Sequence, residues 1–109
     1  MKSVIQKNKG KCYICHQNPN GDPLDCHHVF GGAFRSKSEK YGLTVYIHHS
    51  RCHIFGENAV HVNARVCRAL QAHVQKKAMQ IYGWSEEEFR TLFGRNYISE
   101  SVKDQEETS

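Results

Sequence analysis

Cysteine and histidine residues are concentrated in one half of this chain, and their spacing constrains the fold more than any other feature. Seven of the eight histidines and four of the five cysteines fall within residues 12–61. Two pairs are separated by two residues, Cys12-x-x-Cys15 and His49-x-x-Cys52. Thiolates and imidazoles separated by two residues are typical of structural zinc sites. We therefore predict a structural zinc bound by Cys12, Cys15, His49 and Cys52, with His48 as the alternative fourth ligand.

The chain has 109 residues, which is the length of one small domain. A domain of this size has a small apolar core, and a bound metal would stabilise it. No apolar run approaches the roughly 20 residues of a membrane span, so we expect no membrane partner. The N-terminus lacks the apolar stretch of a signal peptide, which predicts a cytoplasmic protein. In that reducing compartment, five cysteines, an odd number, favour a metal site over disulfides.

The charge is unevenly distributed along the chain. The formal net charge is +4, but residues 99–109 hold one lysine against four acidic residues, a balance of −3. The first 98 residues therefore carry +7. A basic body of this kind favours a polyanionic partner, most simply nucleic acid, although a solvated basic surface would have the same composition.

Two strands and a loop are predicted in the first half of the domain. Residues 1–11 are basic and aperiodic, which predicts a flexible lead-in. Leu24 to Phe30 is predicted as a strand, and residues 33–42 as a polar loop. The β-branched and aromatic run Leu43–Ile47 is the clearest strand.

The second half is predicted to be helical. Apolar residues recur at helical spacing between Asn63 and Tyr82, which predicts one long helix. Its core-facing stripe comprises Val66, Leu70, Val74, Ala78 and Ile81. Ser85 and Glu88 form a capping box that opens a shorter helix ending before Gly94. We therefore predict a small zinc-stabilised α+β domain of treble-clef type over residues 12–98, with a C-terminal helical extension and a disordered acidic tail at 99–109.

Among the histidines outside the assigned zinc site, four require a separate explanation: His27, His28, His53 and His61. Neighbouring residues on a strand point to opposite faces, so one of the pair His27-His28 can bind a metal while the other faces a substrate. His53 and His61 are close enough in sequence to converge on the same strand. A single histidine would be unremarkable, but four in this order predict a second functional cluster.

The order of these motifs resembles the HNH, or ββα-metal, nuclease superfamily. The similarity covers residues 12–98 and is most specific in HHVFGGAFRSKSEKYGLTVY, which begins at His27, and in the later AVH that ends at His61. Small phage-encoded HNH-like proteins are the nearest resemblance. This resemblance implies metal-dependent hydrolysis of phosphodiester bonds in nucleic acid, with DNA as the first expectation.

The resemblance also implies roles for individual residues. His27 and His53 become ligands of a catalytic Mg²⁺ or Mn²⁺, with His61 as a further ligand. His28 becomes the general base, since an imidazole can accept a proton from water near neutral pH. Cationic side chains are predicted to contact backbone phosphates. These are Arg35, Lys37 and Arg51.

One departure from the family leaves an alternative open. The family carries an asparagine before the second strand that orients the base, whereas this chain has Tyr41-Gly42-Leu43 there. Asn58 or Asn63 could supply that amide. The alternative is a zinc module of this fold that cuts nothing and binds a partner, for example a phage anti-CRISPR inhibitor that binds a host defence nuclease. Either protein would act in the cytoplasm of the host cell.

Overall fold

Two antiparallel strands form the sheet of this α+β protein. The computed structural model describes residues 3–7, 9–57 and 59–98. Strand β1 spans Leu24–His28 and strand β2 spans Thr44–His48. Their register sets Leu24 opposite His48 and His28 opposite Thr44. Because the strands are antiparallel, the end of β1 that carries the His27-His28 pair lies beside the start of β2.

Three α-helices accompany the sheet in the described ranges. Helix α1 spans Arg35–Tyr41 after a 3₁₀ turn, helix α2 spans Ala64–Tyr82 and helix α3 spans Glu86–Phe93. Both predicted helices are therefore present, and α3 begins with the predicted capping box. Helix α1 occupies the segment predicted as a polar loop, so that prediction was wrong. None of the helices in the described ranges combines the length and apolar character that a membrane crossing requires.

An aromatic cluster forms the centre of the core. Phe30, which follows β1, packs against two rings of α3 and one beyond it. Its ring centroid lies 5.3 Å from Phe89, 4.9 Å from Phe93 and 4.7 Å from Tyr97. Helix α2 contributes buried side chains to the core from Leu70, Val74 and Ala78. Ile81 was predicted to extend this stripe, but it is 50% exposed. The next residue, Tyr82, faces the protein instead and donates a hydrogen bond to the Tyr41 carbonyl at 2.6 Å.

The segment before the first cysteine packs against β2. Ile5 and Gln6 are buried, and the Gln6 side chain accepts a hydrogen bond from the Tyr46 backbone N–H at 2.6 Å. The Val4 N–H donates to the Gly42 carbonyl at 2.9 Å. These contacts differ from the flexible lead-in predicted for residues 1–11. The disorder predicted for residues 99–109 lies outside the described residues.

A π-helical turn, His49–Ile54, follows β2 and carries residues of both candidate sites. Its last hydrogen bonds converge on one carbonyl, because the backbone N–H groups of Phe55 and Gly56 both donate to Ser50 at 2.9 Å. This geometry brings Gly56 very close to the preceding turn. A Cβ atom built on Gly56 would lie 1.9 Å from the Arg51 carbonyl oxygen, so a side chain here requires the backbone to move.

Substitution of Gly56 by alanine is expected to destabilise the π-turn. The added methyl group meets backbone atoms, which cannot rotate away as a flexible side chain can. Overpacking of this kind costs about 1–3 kcal/mol. Gly31→Ala is the matched control, since its added Cβ meets nothing within 4 Å. Urea denaturation should show a lower midpoint for Gly56→Ala than for Gly31→Ala, and equal midpoints would contradict this account of the turn.

Candidate functional site

Three thiols and one imidazole form the first candidate metal centre. They come from Cys12, Cys15, His48 and Cys52, and their ligand atoms all lie within 4.8 Å of one another. His48 Nδ1 is 3.3 Å from Cys15 Sγ and 3.8 Å from Cys52 Sγ. In a tetrahedral zinc site, the sulfur and nitrogen ligand atoms lie about 3.5–3.8 Å from one another. This group can therefore hold a metal ion such as zinc.

The orientation of His48 suits a metal ligand. The imidazole is fully buried, and its Nε2 lies 2.8 Å from the Asn18 carbonyl oxygen. Because a carbonyl only accepts, Nε2 must carry the proton, which leaves the lone pair of Nδ1 directed toward the sulfurs. Metal-bound histidines are commonly fixed through their second nitrogen in this way.

The predicted ligand His49 is not part of this cluster. Its Nδ1 instead donates to the Asp25 carboxylate at 2.6 Å. The prediction assumed that His49-x-x-Cys52 binds zinc in the same way as Cys12-x-x-Cys15. The segment is the junction of β2 with a π-turn, in which His48, four residues before Cys52, faces the cysteines.

The electrostatics of the thiols also suits a cation. Burial raises the pKa of the Cys12 thiol, but backbone hydrogen bonds from Cys15, His48 and Ile14 outweigh it and lower the pKa to about 7. Burial and the neighbouring thiols Cys12 and Cys15 raise the pKa of Cys52 to about 12. Three close thiolates repel one another, and a bound cation would relieve that repulsion and release the remaining protons.

Three histidines form a second cluster, which we call the histidine cluster: His27, His53 and His61. Their ligand atoms also lie within 4.8 Å of one another. The Nε2 atoms of His53 and His61 are 3.1 Å apart, and the His27 ring centroid is 5.0 Å from that of His53. The structure thus brings together the three residues that the sequence predicted as ligands of a second cation.

His27 has an unsatisfied nitrogen directed into the protein. Among the described residues, its Nε2 is the one buried side-chain nitrogen or oxygen without a hydrogen-bond partner. Burial, followed by repulsion from His53, His61 and His28, lowers the pKa of His27 to about 3. Burial and repulsion from His53 also lower the pKa of His61. Neutral imidazoles present lone pairs, so the cluster has the donors that a metal ion requires.

Asp25 orients one member of the histidine cluster. Its Oδ2 atom accepts from His53 Nδ1 at 2.9 Å as well as from His49. The hydrogen bond from His53 lowers the pKa of this carboxyl, an effect that burial opposes and His49 reinforces. With the proton held on Nδ1, His53 directs the lone pair of Nε2 toward His61. Asp25, His49 and His53 also form a group of three potential ligands, but the two hydrogen bonds already use the facing atoms.

His28 follows His27 at the end of β1, and a carboxylate orients its imidazole. Its Nε2 donates to Glu39 Oε2 on α1 at 2.5 Å. This hydrogen bond lowers the pKa of the Glu39 carboxyl. Since Nε2 carries the proton, His28 Nδ1 keeps a lone pair that can accept a second proton.

Neither asparagine considered from the sequence is seen to orient His28. The Asn63 side chain caps α2 by accepting hydrogen bonds from the backbone N–H groups of Arg65 and Val66. Asn58 lies outside the described residues.

A cavity of about 350 Å³ joins His28 to the histidine cluster. Its remaining lining comes from Cys26, Gly31, Gly32, Arg35 and Cys67. Arg35 is exposed and supplies positive charge at this cavity. The other two predicted phosphate-binding residues lie elsewhere. Lys37 donates to the Leu92 carbonyl at 2.7 Å, and Arg51 lines a separate cavity with Asp22 and Phe55.

Asp25 and Glu39 are the site residues that the sequence did not predict. Asp25 precedes the Cys-His-His run by one residue, and strand alternation puts it on the same face as His27. That alternation could have identified it. Glu39 lies 11 residues from its partner on a helix that was not predicted, so no local signal connected it to His28.

Comparison of the chain with protein-family models, with curated proteins and with solved structures finds no match. Any assignment of function therefore has to come from the two clusters and the residues that orient them.

Proposed function

We propose that this protein is a metal-dependent endonuclease of the HNH type that hydrolyses phosphodiester bonds in nucleic acid, with DNA as the first substrate to test. One observation carries the proposal. His28, held by Glu39, lines the same cavity as the three imidazoles of the histidine cluster. Metal-assisted hydrolysis requires a general base with a free lone pair next to a cation site, and this cavity offers residues for both.

Each group in the cavity has a defined part in that reaction. His28 Nδ1 accepts a proton from a water molecule, whose oxygen forms a bond to phosphorus. The bond between phosphorus and the leaving oxygen then breaks, and the leaving oxygen keeps the electron pair and takes a proton from solvent. Arg35 pairs with phosphate oxygens that it can reach at the rim. A divalent cation held by the histidine cluster would stabilise negative charge on the phosphate and on the leaving oxygen.

The arrangement of elements supports membership of the ββα-metal group with a treble-clef zinc centre. Cys12 and Cys15 precede the sheet, and Cys52 follows it on the π-turn. The next residue, His53, belongs to the histidine cluster. A zinc ion on the Cys₃His group would therefore fix the segment that also carries a ligand of the second cation.

The donor set argues for a transition metal as that second cation. The sequence led us to expect Mg²⁺ or Mn²⁺, but the cluster offers three imidazole nitrogens and no carboxylate oxygen. Mg²⁺ prefers oxygen ligands and retains its waters, whereas Mn²⁺, Co²⁺, Ni²⁺ and Zn²⁺ accept imidazole more readily. We therefore favour Mn²⁺ over Mg²⁺ among the two expected ions.

A metal series in a plasmid-nicking assay tests the proposal. We expect the zinc-loaded protein to nick supercoiled DNA with Mn²⁺, Co²⁺ or Ni²⁺ and much more slowly with Mg²⁺. Low salt is required because phosphate contacts weaken as salt rises. His27→Ala should raise the Mn²⁺ concentration needed for half-maximal rate. Equal rates with Mg²⁺ and Mn²⁺ would contradict the assignment of the imidazole site, and absence of nicking with every ion would contradict the nuclease.

The second candidate function is a module of the same fold that cuts nothing and binds a host defence protein. The side chains of Phe55, Val62 and Ile81 are exposed, and a bound protein would cover such apolar groups. This candidate becomes the better one if the metal series gives no cleavage while zinc binding and folding are intact.

A further inference from the structure

A second concave surface lies between the Cys12–Cys15 segment and α2. Two cavities of about 320 and 580 Å³ adjoin there and share Tyr13, His16 and Lys77. We call the combined surface the Tyr13 groove. Its lining does not overlap with that of the cavity around the histidine cluster. Cys12 of the zinc centre contributes to the lining, but neither that centre nor the proposed cleavage reaction uses the rings and lysines of this surface.

Three rings line the groove. Tyr13 Oη is 2.8 Å from His73 Nε2, and the centroids of these two rings are 5.8 Å apart. The His16 ring lies 6.5 Å from that of Tyr13. Apolar side chains of Ile14 and Val66 extend the same surface. Flat rings beside an apolar floor are suited to packing against an unstacked nucleobase.

The charge of the groove is uniformly positive. Lys7, Lys11 and Lys77 line it, and within the described residues no Asp or Glu lines either cavity. Lys77 Nζ lies 5.9 Å from the Tyr13 ring centroid, so a cation and a ring are next to each other. Burial, together with the charges of Lys77 and Lys76, lowers the pKa of His73, which therefore presents a neutral ring rather than an additional cation.

We propose that the Tyr13 groove binds a single strand of nucleic acid, with bases packed on the rings and phosphates paired with the lysines. The choice of nucleic acid rests on the proposed nuclease function, whereas the site rests on the groove itself. In a duplex the base faces are stacked and cannot reach the rings, which favours a single strand. Helix α2 contributes to both sites, because Val66 lines the groove and the next residue, Cys67, lines the cavity of the histidine cluster.

A pair of neighbouring lysines provides the test. Lys77 lines the groove, whereas Lys76, on the same helix, lines neither cavity. The full zinc-loaded chain carrying His28→Ala, which prevents cleavage, is titrated with a fluorescent oligothymidylate of about 12 nucleotides. Lys77→Glu should weaken binding about tenfold or more at low salt and reduce its salt dependence, while Lys76→Glu should change it much less. Equal losses in the two variants would indicate general attraction to a basic helix and overturn the site.

The ring contribution has its own matched pair. Tyr13→Ala should weaken binding about 5- to 100-fold, the range expected for loss of stacking on one aromatic ring, and Tyr13→Phe should retain it. Zinc content must be equal in both, since Tyr13 lies between two cysteines of the zinc centre. Tighter binding of a duplex than of the single strand, or displacement of the oligonucleotide by polyglutamate at equal charge, would overturn the proposal. Because binding is measured without cleavage, a failed nuclease assay would leave this result interpretable.

Discussion

Replacement of His48 by alanine is expected to remove bound zinc and unfold the domain, whereas the same change at the adjacent His49 should do neither. His48 is fully buried with Nδ1 directed at the sulfurs, and His49 is hydrogen-bonded to Asp25 instead. Structural zinc contributes roughly 10 kcal/mol or more of apparent binding free energy to small domains of this kind. The free energy of unfolding of most domains is about 5–15 kcal/mol, so the loss of bound zinc removes most or all of it.

Two measurements check this expectation. Elemental analysis should give one zinc per chain for the wild type and for His49→Ala, and much less for His48→Ala. Thermal melting of the wild type should shift to low temperature after chelation, to a state resembling His48→Ala. A wild type that holds no metal, or a His49→Ala variant that loses it while His48→Ala keeps it, would show that the ligand set is wrong.

The sequence predicted three of the four residues in the Cys₃His cluster and all three members of the histidine cluster. Thiol pairs and close histidines are informative because few other arrangements explain them. The fourth ligand was misassigned by one residue because the π-turn changes which side chains face Cys52, and π-turns leave no periodic signal in a sequence. The same limitation explains why the close approach of Gly56 to Arg51 could not be foreseen.

Helices were predicted where apolar periodicity was long, and missed where it was short. Helix α2 has 19 residues and a clear stripe, whereas α1 has seven and buries only Ser38. The buried Ser38 hydroxyl accepts a hydrogen bond from the Phe30 N–H and donates one to the Phe30 carbonyl. These two hydrogen bonds fix α1 against the end of β1. Because Glu39 follows Ser38 on this helix, the docking of α1 is what brings a carboxylate to His28, and only the folded chain reveals that pairing.

The two candidate centres contain adjacent residues. Cys52 and His53 are consecutive on one π-turn, and they belong to different clusters. A zinc ion on the first cluster would therefore hold the backbone from which His53 reaches His27 and His61. Loss of zinc should consequently abolish binding of the second cation, while loss of the second cation should leave the zinc centre intact. This asymmetry distinguishes a structural centre from a catalytic one.

His28→Ala is expected to lower the rate of DNA nicking by about 10²–10⁴-fold, the usual contribution of a general base, without altering zinc content or folding. His28 is partly exposed at the cavity and contributes its hydrogen bond to Glu39 rather than to the core. The loss should appear in the single-turnover rate at saturating Mn²⁺, and not in the Mn²⁺ concentration required. Lys76→Ala is the control, because Lys76 lines neither this cavity nor the Tyr13 groove.

Glu39→Gln distinguishes a positioned base from an isolated one. Glutamine can still accept the Nε2 proton of His28, but it carries no negative charge to stabilise the imidazolium that forms when His28 takes a proton from water. We therefore expect a smaller loss of rate than in His28→Ala, with unchanged DNA affinity, and no additional loss when the two substitutions are combined. Nicking by His28→Ala at the wild-type rate would assign the activity to another base or to a contaminating nuclease. A Glu39→Gln effect that persists in the absence of His28 would show that Glu39 acts by a route other than this hydrogen bond.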